Sequence, residues 1–408
     1  MRVTKKYLFV SLITAMGLAV AGCAPAQSNI DGEKPSESSS GDAGAAKDPV
    51  NVAMVYSQSG PLAAYGEAYI NGFEAGLDYI TDGTGKVDGR ELNIKYADDA
   101  GDPDKAVSVT KDFIGQGFKI VAGTASSGVA LAIAEQAAQN RILYISGPAA
   151  ADAVTGINDY TFRSGRQTFQ DVATAGSFLG DAKGKKILVF AQDNAFGQGN
   201  LAGVDAVLGS KGAEVTSVLV PEDATEFTPF AQQIVSQKPD LVFVAWAGAT
   251  SGAMWQALSQ QGVFETIPVT TGLGDVATYE AYGEASDKIS FLNHYFAGAS
   301  GTDAEKHMLE FLTAKGKPGD LFSPDGFNAA LMIAQAIGEG GGDDVDAMIK
   351  SLEGWTFDGV KGSTTIRAED HAVIQEMYQA KLVQKDGKWI PELIEKVAAD
   401  TVAPPVVE

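Results

Sequence analysis

The regular alternation of apolar runs and amphipathic segments is the feature of this sequence that most constrains its fold. It begins with an apolar run at residues 50–56, followed by a segment at 66–80 with apolar side chains at helical spacing. Short apolar runs predict buried strands, whereas apolar residues three or four positions apart predict helices. Strands that alternate with helices are typical of parallel sheets with helices on both faces. The predicted fold class is therefore α/β, built from doubly wound parallel sheets.

The alternation restarts after residues 160–164, so the body contains two successive α/β units. The predicted strands lie at residues 50–56, 91–96, 119–123, 141–146, 185–192, 214–220, 241–246, 267–271, 289–296, 378–383 and 389–394. The predicted helices lie at 66–80, 128–139, 169–179, 199–209, 228–236, 251–260, 304–314 and 325–337. A further helix is expected to begin at Asp102, which precedes a proline as a helix cap commonly does. Asp386-Gly387 predicts a tight hairpin turn between the last two strands.

The first 22 residues predict an export signal. Three basic residues precede an apolar segment at 7–21, which is too short to span a bilayer comfortably. Cys23, the single cysteine of the chain, follows directly, and this arrangement resembles the lipobox of bacterial lipoproteins. The resemblance implies that Cys23 carries a lipid and becomes the mature N-terminus; an ordinary secretory signal with an unrelated cysteine is the alternative. The lipidated Cys and a flexible, polar tether would then occupy 23–48 and hold an extracytoplasmic body near a membrane.

Charge and composition exclude several classes of function. The 408 residues carry 52 acidic and 30 basic side chains, for a net charge of −22. Nucleic-acid backbones are bound by Lys and Arg, so no nucleic-acid partner is expected. One cysteine excludes an intrachain disulfide and a Cys-based zinc site, and the three histidines do not suggest a metal centre. Neither a metal nor a cofactor is predicted.

An ordered set of short motifs points to a known family. The motifs are Ser59-Gly60-Pro61-Leu62-Ala63-Ala64-Tyr65-Gly66, Asn71-Gly72, Asp88-Gly89-Arg90-Glu91-Leu92, Asp98-Asp99, Asp102-Pro103, Gly123-Thr124-Ala125-Ser126-Ser127 and Phe196-Gly197-Gln198-Gly199. In this order, over about residues 49–395, the chain resembles the branched-chain amino-acid-binding (leucine/isoleucine/valine-binding) proteins of ABC transporters, in a lipoprotein form.

The resemblance implies a type I periplasmic binding fold, with two lobes joined by a three-crossover hinge. Residues 49–167 and 298–373 would form the N-lobe, and residues 168–297 and 374–408 the C-lobe. The implied function is that of a solute-binding protein, not an enzyme. It would close around a small molecule and deliver it to a membrane permease driven by an ATPase. We expect it to be a monomer.

Two serines mark the predicted ligand site. Ser126 and Ser127 follow one predicted strand and begin the next helix. Ligands of open parallel sheets lie beyond the carboxyl ends of the strands, where helix N-termini offer free N–H groups to anions. From this spacing alone, helix capping and ligand binding are equally good interpretations. The resemblance implies that Ser127 holds the ligand carboxylate. It also implies that the ligand's amino and carboxyl groups contact the backbone of Pro148, Ala149, Ala150 and Ala151.

Aromatic side chains and one acid complete the predicted site. The resemblance places Tyr65 and Phe196 at the cleft and Trp246 beside the position of a cleft tyrosine, where flat rings would enclose an apolar ligand body. The family glutamate that pairs the ligand ammonium has no counterpart, and Asp275, one position further along, is the candidate in its place. A helix cap is the alternative for Asp275, and a core or surface position for Tyr65. The expected ligand is a branched-chain or other apolar amino acid; the alternative is an aromatic or other carboxylate without an ammonium, or an amide.

Two other classes compete with this interpretation. Residues 197–202 match the dinucleotide fingerprint G-x-G-x-x-A, but residues 193–196 separate them from the preceding strand, where the fingerprint requires an immediate turn. A surface-anchored hydrolase is the distant alternative. The sequence lacks the G-x-S-x-G motif of many such enzymes, and no histidine falls at a predicted strand end within the first 290 residues.

Overall fold

The computed structural model of the protein describes residues 47–407, without the side chains of residues 177–179 and 284. The predicted signal peptide, Cys23 and nearly all of the predicted tether lie outside the described residues. Within residues 47–407, no helix is both long enough and apolar enough to cross a bilayer.

Six strands form the sheet of the first lobe. They are β1 (Val50–Tyr56), β2 (Lys86–Val87), β3 (Arg90–Asp98), β4 (Ile120–Gly123), β5 (Leu143–Ser146) and β6 (Thr161–Arg163). Their order is β2-β3-β1-β4-β5-β6, and every neighbouring pair except β2–β3 is parallel. Strands β4 and β5 are buried over their whole length because apolar side chains cover both faces of the sheet.

The remaining strands form a small sheet and the large sheet of the second lobe. They are β7 (Lys186–Gln192), β8 (Glu214–Val220), β9 (Leu241–Ala245), β10 (Val269–Gly272), β11 (Ile289–Asn293), β12 (Thr356–Gly359), β13 (Gly362–Ile366), β14 (Val373–Ile374), β15 (Met377–Lys385) and β16 (Lys388–Val397). The order in the large sheet is β16-β15-β11-β10-β9-β7-β8, with β15 and β16 antiparallel to their neighbours. Strands β12, β13 and β14 form the small antiparallel sheet.

Helices connect the strands and cover the sheets. They are α1 (Ala63–Ile80), α2 (Pro103–Gly115), α3 (Ser127–Asn140), α4 (Thr168–Leu179), α5 (Ala195–Val207), α6 (Thr228–Gln237), α7 (Ser251–Gln260), α8 (Val263–Thr266), α9 (Tyr279–Tyr282), α10 (Asp303–Ala314), α11 (Ser323–Gly338) and α12 (Val345–Leu352). Helices α10 and α11 follow the second lobe in sequence but pack on α1 of the first lobe. The close approach of α1 and α11 requires Gly72, since a Cβ there would overlap the carbonyl oxygen of Ser323.

The chain therefore crosses between the lobes three times: after β6, after β11 and after β14. This architecture confirms the predicted α/β fold with two lobes. The exact residues at which one lobe ends and the other begins stay a prediction.

Local sequence signals explain where several elements begin. Asp102 accepts hydrogen bonds from two backbone N–H groups in the first turn of α2, as predicted. Helix α5 begins before its predicted start because the side chain of Asn194 accepts a hydrogen bond from the Gly197 N–H at 3.0 Å. Asp386 and Gly387 have φ angles of 52° and 74°, which is the left-handed conformation that the predicted hairpin turn requires.

Both large sheets reverse their strand order at one point. In the first sheet β1 lies between β3 and β4, and in the second sheet β7 lies between β8 and β9. Loops that leave the carboxyl ends of such strands diverge, and the crevice between them is the usual ligand site of this kind of sheet. Here the loops after β1, β4, β7 and β9 line one common cavity.

Candidate functional site

A cavity of about 450 Å³ lies between the carboxyl edges of the two large sheets. This volume suits a small molecule. The cavity brings together seven of the predicted site residues, which are Tyr65, Ser126, Ser127, Pro148, Ala150, Phe196 and Trp246. The other three predicted residues, Ala149, Ala151 and Asp275, do not line it.

The first turn of α3 presents hydrogen-bond donors to the cavity. Ser126 caps the helix, because its Oγ accepts from the N–H of Val129 at 3.4 Å. Ser127 differs: its Oγ accepts from the N–H of Ala151 at 3.2 Å, and its hydroxyl proton has no acceptor among the described residues. Within residues 47–407, the N–H groups of Ser127 and Gly128 also lack an acceptor. Free N–H groups at a helix N-terminus attract anions, so this turn can hold a carboxylate.

The loop after β5, residues 148–151, also presents donors rather than acceptors. Each of its four carbonyl oxygens already accepts a hydrogen bond, from Arg166 to Pro148, from Arg163 to Ala149 and Ala151, and from Thr168 to Ala150. The N–H of Ala150 has no acceptor in the described part of the chain. The resemblance implies that this backbone contacts the amino and carboxyl groups of an amino acid. Its carbonyl oxygens, however, already accept hydrogen bonds from within the protein.

Aromatic rings from both lobes form the apolar walls of the cavity. Tyr65 of α1 packs edge to face against Phe322, with the ring centres 5.0 Å apart. Trp246 follows β9 and is held by a hydrogen bond of 3.0 Å from its Nε1 to Oγ1 of Thr250. Phe196 lies half-buried in the first turn of α5. Because contacts inside the protein hold these rings, the apolar walls are largely preformed.

Asp275 makes the contacts of a helix cap. Its Oδ1 accepts from the N–H of Thr278 at 2.9 Å and from the hydroxyl of the same residue. This is the alternative that the sequence left open for Asp275.

Two carboxylates do line the cavity, and they differ in their surroundings. Asp171 is buried and lies 3.1 Å from Nε of Arg166. Glu222 is exposed, and its Oε1 accepts a hydrogen bond from the side-chain amide of Asn194. Glu222 is therefore the lining carboxylate that has no basic partner among the described residues.

Arg166 was not predicted from the sequence. It follows β6 in the first crossover, it lines the cavity, and its side chain is only 9% exposed. Besides its contact with Asp171, its Nη1 donates to the carbonyl oxygen of Pro148 at 2.8 Å. Burial raises the pKa of Asp171, and the positive charge of Arg166 acts against this rise. A charged residue three positions after the end of a strand, at the edge where ligands bind, is the signal that would have found it.

His294 lines the cavity at the second crossover. Its Nε2 lies 2.8 Å from Oδ1 of Asp325, and Nζ of Lys361 lies 3.4 Å from its Nδ1. All three side chains are almost fully buried. Burial lowers the pKa of His294 to about 4 and that of Lys361 to about 7, although Asp325 opposes both shifts. His294 is therefore neutral at pH 7, while Lys361 is close to its midpoint.

The two lobes contact each other at the rim of the cavity. The N–H of Ala249 donates to the carbonyl oxygen of Pro61 at 3.1 Å. The N–H of Gly248 donates to the Tyr65 hydroxyl at 3.4 Å. Tyr65 thus contributes both a ring to the wall and an acceptor to the contact between the lobes.

A carboxylate takes part in a second contact between the lobes. Asp320, in the loop between α10 and α11, accepts from the N–H of Val276 at 3.1 Å. Burial raises the pKa of Asp320 to about 6, the hydrogen bonds from Leu321 and Val276 act against the rise, and the nearby Asp275 adds to it. This contact therefore titrates close to physiological pH.

The adjacent acids Asp98-Asp99 hold the loop after β1, which lines the cavity. Asp98 accepts from the N–H groups of Gln58 and Ser59 at 2.9 and 3.1 Å and lies 2.8 Å from Nζ of Lys105. Burial by itself would raise the pKa of Asp98, but these hydrogen bonds lower it well below its usual range. The pair thereby ties the loop after β1 to the end of β3.

Comparison with known proteins agrees with this arrangement. The profile of the periplasmic binding protein family matches residues 49–388. The Leu/Ile/Val-binding protein BraC3 of Rhizobium johnstonii is 25% identical over 308 residues, which is 74% of this chain and 83% of that protein. A crystal structure of an ABC-type branched-chain amino acid transporter protein from Rhodopseudomonas palustris has a TM-score of 0.71 and 28% identity, and the match covers 88% of this chain and 99% of that one.

A second structural relative differs in its ligand. A solute-binding protein of an ABC transporter from R. palustris, solved in complex with benzoate, has a TM-score of 0.74 and 24% identity, with 86% of this chain and 98% of that chain covered. Its likeness supports the fold. These relatives are binding proteins rather than enzymes, so the hydrolase alternative is set aside. The chain belongs to the periplasmic binding protein family and is an extracytoplasmic solute-binding protein of an ABC transporter.

Proposed function

We propose that this protein captures a small carboxylate with an apolar body between its lobes and delivers it to an ABC permease. The observation that carries the proposal is the group of unpaired donors at one end of the cavity. They are the hydroxyl of Ser127 and the backbone N–H groups of Ser127, Gly128 and Ala150. Donors without acceptors favour a ligand group that only accepts hydrogen bonds, and an ionised carboxylate is such a group.

The opposite walls of the cavity suit the apolar part of such a ligand. Tyr65 and Phe322 present rings from the first lobe, and Phe196 and Trp246 present rings from the second. Flat aromatic walls favour a flat or branched hydrocarbon body. Since both lobes contribute, a bound ligand would stabilise the closed arrangement of the lobes over an open one.

A carboxylate without an ammonium is the form of ligand that the geometry supports best. An ammonium group donates three hydrogen bonds and needs acceptors or a negative charge. Asp275 lies outside the cavity, Asp171 is paired with Arg166, and the carbonyl oxygens of residues 148–151 already accept hydrogen bonds. A binding protein of the same fold holds benzoate, so the fold can accommodate an aromatic acid.

An apolar amino acid is the second candidate, and Glu222 is the observation that favours it. Its carboxylate lines the cavity and lacks a basic partner among the described residues, so it can receive an ammonium. The curated relatives are named as Leu/Ile/Val-binding proteins.

Isothermal titration calorimetry with benzoate and with leucine separates the two candidates. Tight binding of benzoate and weak binding of leucine is the expected result. The variant Glu222→Gln should leave benzoate affinity unchanged, whereas a marked loss of leucine affinity in this variant would favour the amino acid. Failure of every small carboxylate to bind would refute the proposed function, and mass spectrometry of ligand retained after gentle purification gives an independent check.

Capture by closure and anchoring by lipid are further parts of the proposal. Small-angle scattering should show a decrease in the radius of gyration when a confirmed ligand is added, and an unchanged radius would contradict closure. Cys23 is proposed as the membrane attachment. Cys23→Ser should abolish incorporation of labelled fatty acid, and label that persists on this variant would contradict the assignment.

A further inference from the structure

We infer that Arg166 is the specificity-determining residue that makes the cavity prefer a charged carboxylate over the corresponding neutral amide, through a hydrogen bond from its Nη2 to the ligand. This role rests on the proposed function, because it names the contact behind the preference for a carboxylate. No sequence motif indicated that Arg166 contacts the ligand.

The hydrogen bonds of Arg166 leave one edge of its guanidinium group unused. A guanidinium carries five N–H donors, on Nε, Nη1 and Nη2. Nε faces Asp171 at 3.1 Å, and Nη1 donates to the carbonyl oxygen of Pro148 at 2.8 Å. Nη2 has no partner among the described residues, and it is not one of the fully enclosed atoms that lack a partner. Since Arg166 lines the cavity and is otherwise buried, the accessible Nη2 opens into the cavity.

Arg163 provides a contrast at the end of the same strand. It is fully buried, it does not line the cavity, and both of its terminal nitrogens donate within the protein. Nη1 donates to Oγ1 of Thr155 at 2.8 Å, and Nη2 donates to the carbonyl oxygen of Arg166 at 3.0 Å. Both terminal nitrogens of Arg163 therefore bind within the protein, and its Nε is fully enclosed, whereas Nη2 of Arg166 is neither paired nor enclosed.

The surroundings of Arg166 hold its free edge in place. Asp171 and Pro148 fix the plane of the guanidinium group on one side, and the Phe322 ring lies 5.4 Å from its central carbon. A fixed donor loses little conformational entropy when it binds a ligand. In a cavity partly shielded from water, a hydrogen bond from this cation to a carboxylate is about twice as strong as one to a neutral group.

The helix N-terminus alone would discriminate less. The end of a helix carries only a partial positive charge, so its attraction for an anion is weaker than that of a full cation. The neutral donors of Ser127, Gly128 and Ala150 can also bind the carbonyl oxygen of an amide. A full positive charge beside them is what distinguishes the two ligands.

The test compares matched carboxylates and amides by isothermal titration calorimetry. The probes are benzoate with benzamide, and 4-methylpentanoate with 4-methylpentanamide, so that one pair has a flat body and the other a branched one. The key protein is the double variant Arg166→Gln, Asp171→Asn, which removes both charges and so avoids an unpaired buried carboxylate. It should bind the carboxylates about 10- to 100-fold more weakly than the wild type does, with amide binding changed much less.

Control variants separate charge recognition from structural damage. Asp171→Asn alone should keep the preference for carboxylates, and Arg141→Gln, which removes an exposed arginine paired with Asp346, should leave all affinities unchanged. If the double variant does not fold, the pair Arg166→Met, Asp171→Leu takes its place, because apolar side chains of similar size can replace a buried ion pair; the same loss of preference is expected.

The outcomes distinguish this role of Arg166 from the proposed function. A double variant of Arg166 and Asp171 that retains the wild-type ratio of carboxylate to amide affinity would overturn the role of Arg166 and leave the proposed function standing. A wild type that binds benzamide as tightly as benzoate would do the same. A wild type that binds neither carboxylate would refute the proposed function and this role together.

Discussion

Ser127 gives the most direct test of the proposed carboxylate site, because its hydroxyl has two partners of different kinds. Its Oγ accepts from the buried N–H of Ala151 at 3.2 Å, and its proton is proposed to bind the ligand. The substitution Ser127→Ala removes both interactions. It should therefore change both the affinity for the ligand and the stability of the folded protein.

The two effects have different magnitudes. A hydrogen bond to a charged group contributes about 1.5–3 kcal/mol, so the variant should bind benzoate roughly 10- to 100-fold more weakly. The N–H of Ala151 is left without an acceptor, and an unsatisfied buried donor lowers the free energy of unfolding by about 1–3 kcal/mol. Calorimetry measures the first effect, and urea unfolding of the ligand-free protein measures the second.

The adjacent serine is the matched control. Ser126 caps α3 through a bond of 3.4 Å to the N–H of Val129. Ser126→Ala should therefore lower the free energy of unfolding by about 0.5–2 kcal/mol, with little change in affinity. If Ser127→Ala bound benzoate as tightly as the wild type, the carboxylate would not lie at this helix end, and the site would be misplaced. Equal losses of affinity in both variants would point to distortion of the helix rather than to loss of a ligand contact.

Three further predictions follow from individual contacts. Burial raises the pKa of Asp320 in the folded state to about 6, above the usual value of an aspartate, so the folded state loses stability from this group as the pH rises from about 4 to about 6. Asp320→Asn should flatten this part of the pH dependence in urea unfolding, and an unchanged profile would contradict it. Asp275→Asn should leave benzoate and leucine affinity within about twofold of wild type, since Asp275 caps a 3-10 turn outside the cavity; a tenfold loss of leucine affinity would instead show an ammonium contact. Gly72→Ala should lower the free energy of unfolding by at least about 1–3 kcal/mol, because the added Cβ overlaps the backbone of Ser323. Gly115→Ala is the control, since the space around this helix position is open and the variant should be neutral or slightly stabilising. Equal thermal melting points of the two variants would refute the packing account.

Two different kinds of hydrogen bond join the lobes. The pair of Pro61 and Ala249 joins backbone groups and is independent of pH. The contact of Asp320 with Val276 includes a carboxylate that titrates near pH 6. Burial disfavours the ionised form of Asp320, whereas the hydrogen bond from Val276 favours it, so this hydrogen bond strengthens as the pH rises while the folded state as a whole loses stability.

The sequence alone determined the class of fold and, through the family resemblance, suggested one end of the candidate site. Apolar runs alternate with segments of helical spacing, and this alternation predicts parallel sheets. The pattern can be read from the sequence because the periodicity of a strand or a helix is local to its own segment. The cap at Asp102 and the turn at Asp386-Gly387 are equally local, and the structure contains both. The position of Ser127 at a strand end left helix capping and ligand binding equally open, and only the family resemblance favoured the ligand. The helix α12 and the short strands β12 to β14 escaped prediction because such short segments carry too little periodic pattern.

Only the tertiary structure decided how the polar groups of the cavity are shared between the protein and a ligand. The carbonyl oxygen of Pro148 is engaged because Arg166, eighteen residues later in the chain, folds back onto it. Asp275 satisfies its own 3-10 turn rather than the cavity, and the sequence leaves both outcomes open. His294 meets its acidic partner Asp325 only because the chain returns to the first lobe after β11. A hydrogen bond depends on distances of a few tenths of an ångström between groups far apart in sequence, and packing of the whole chain sets those distances.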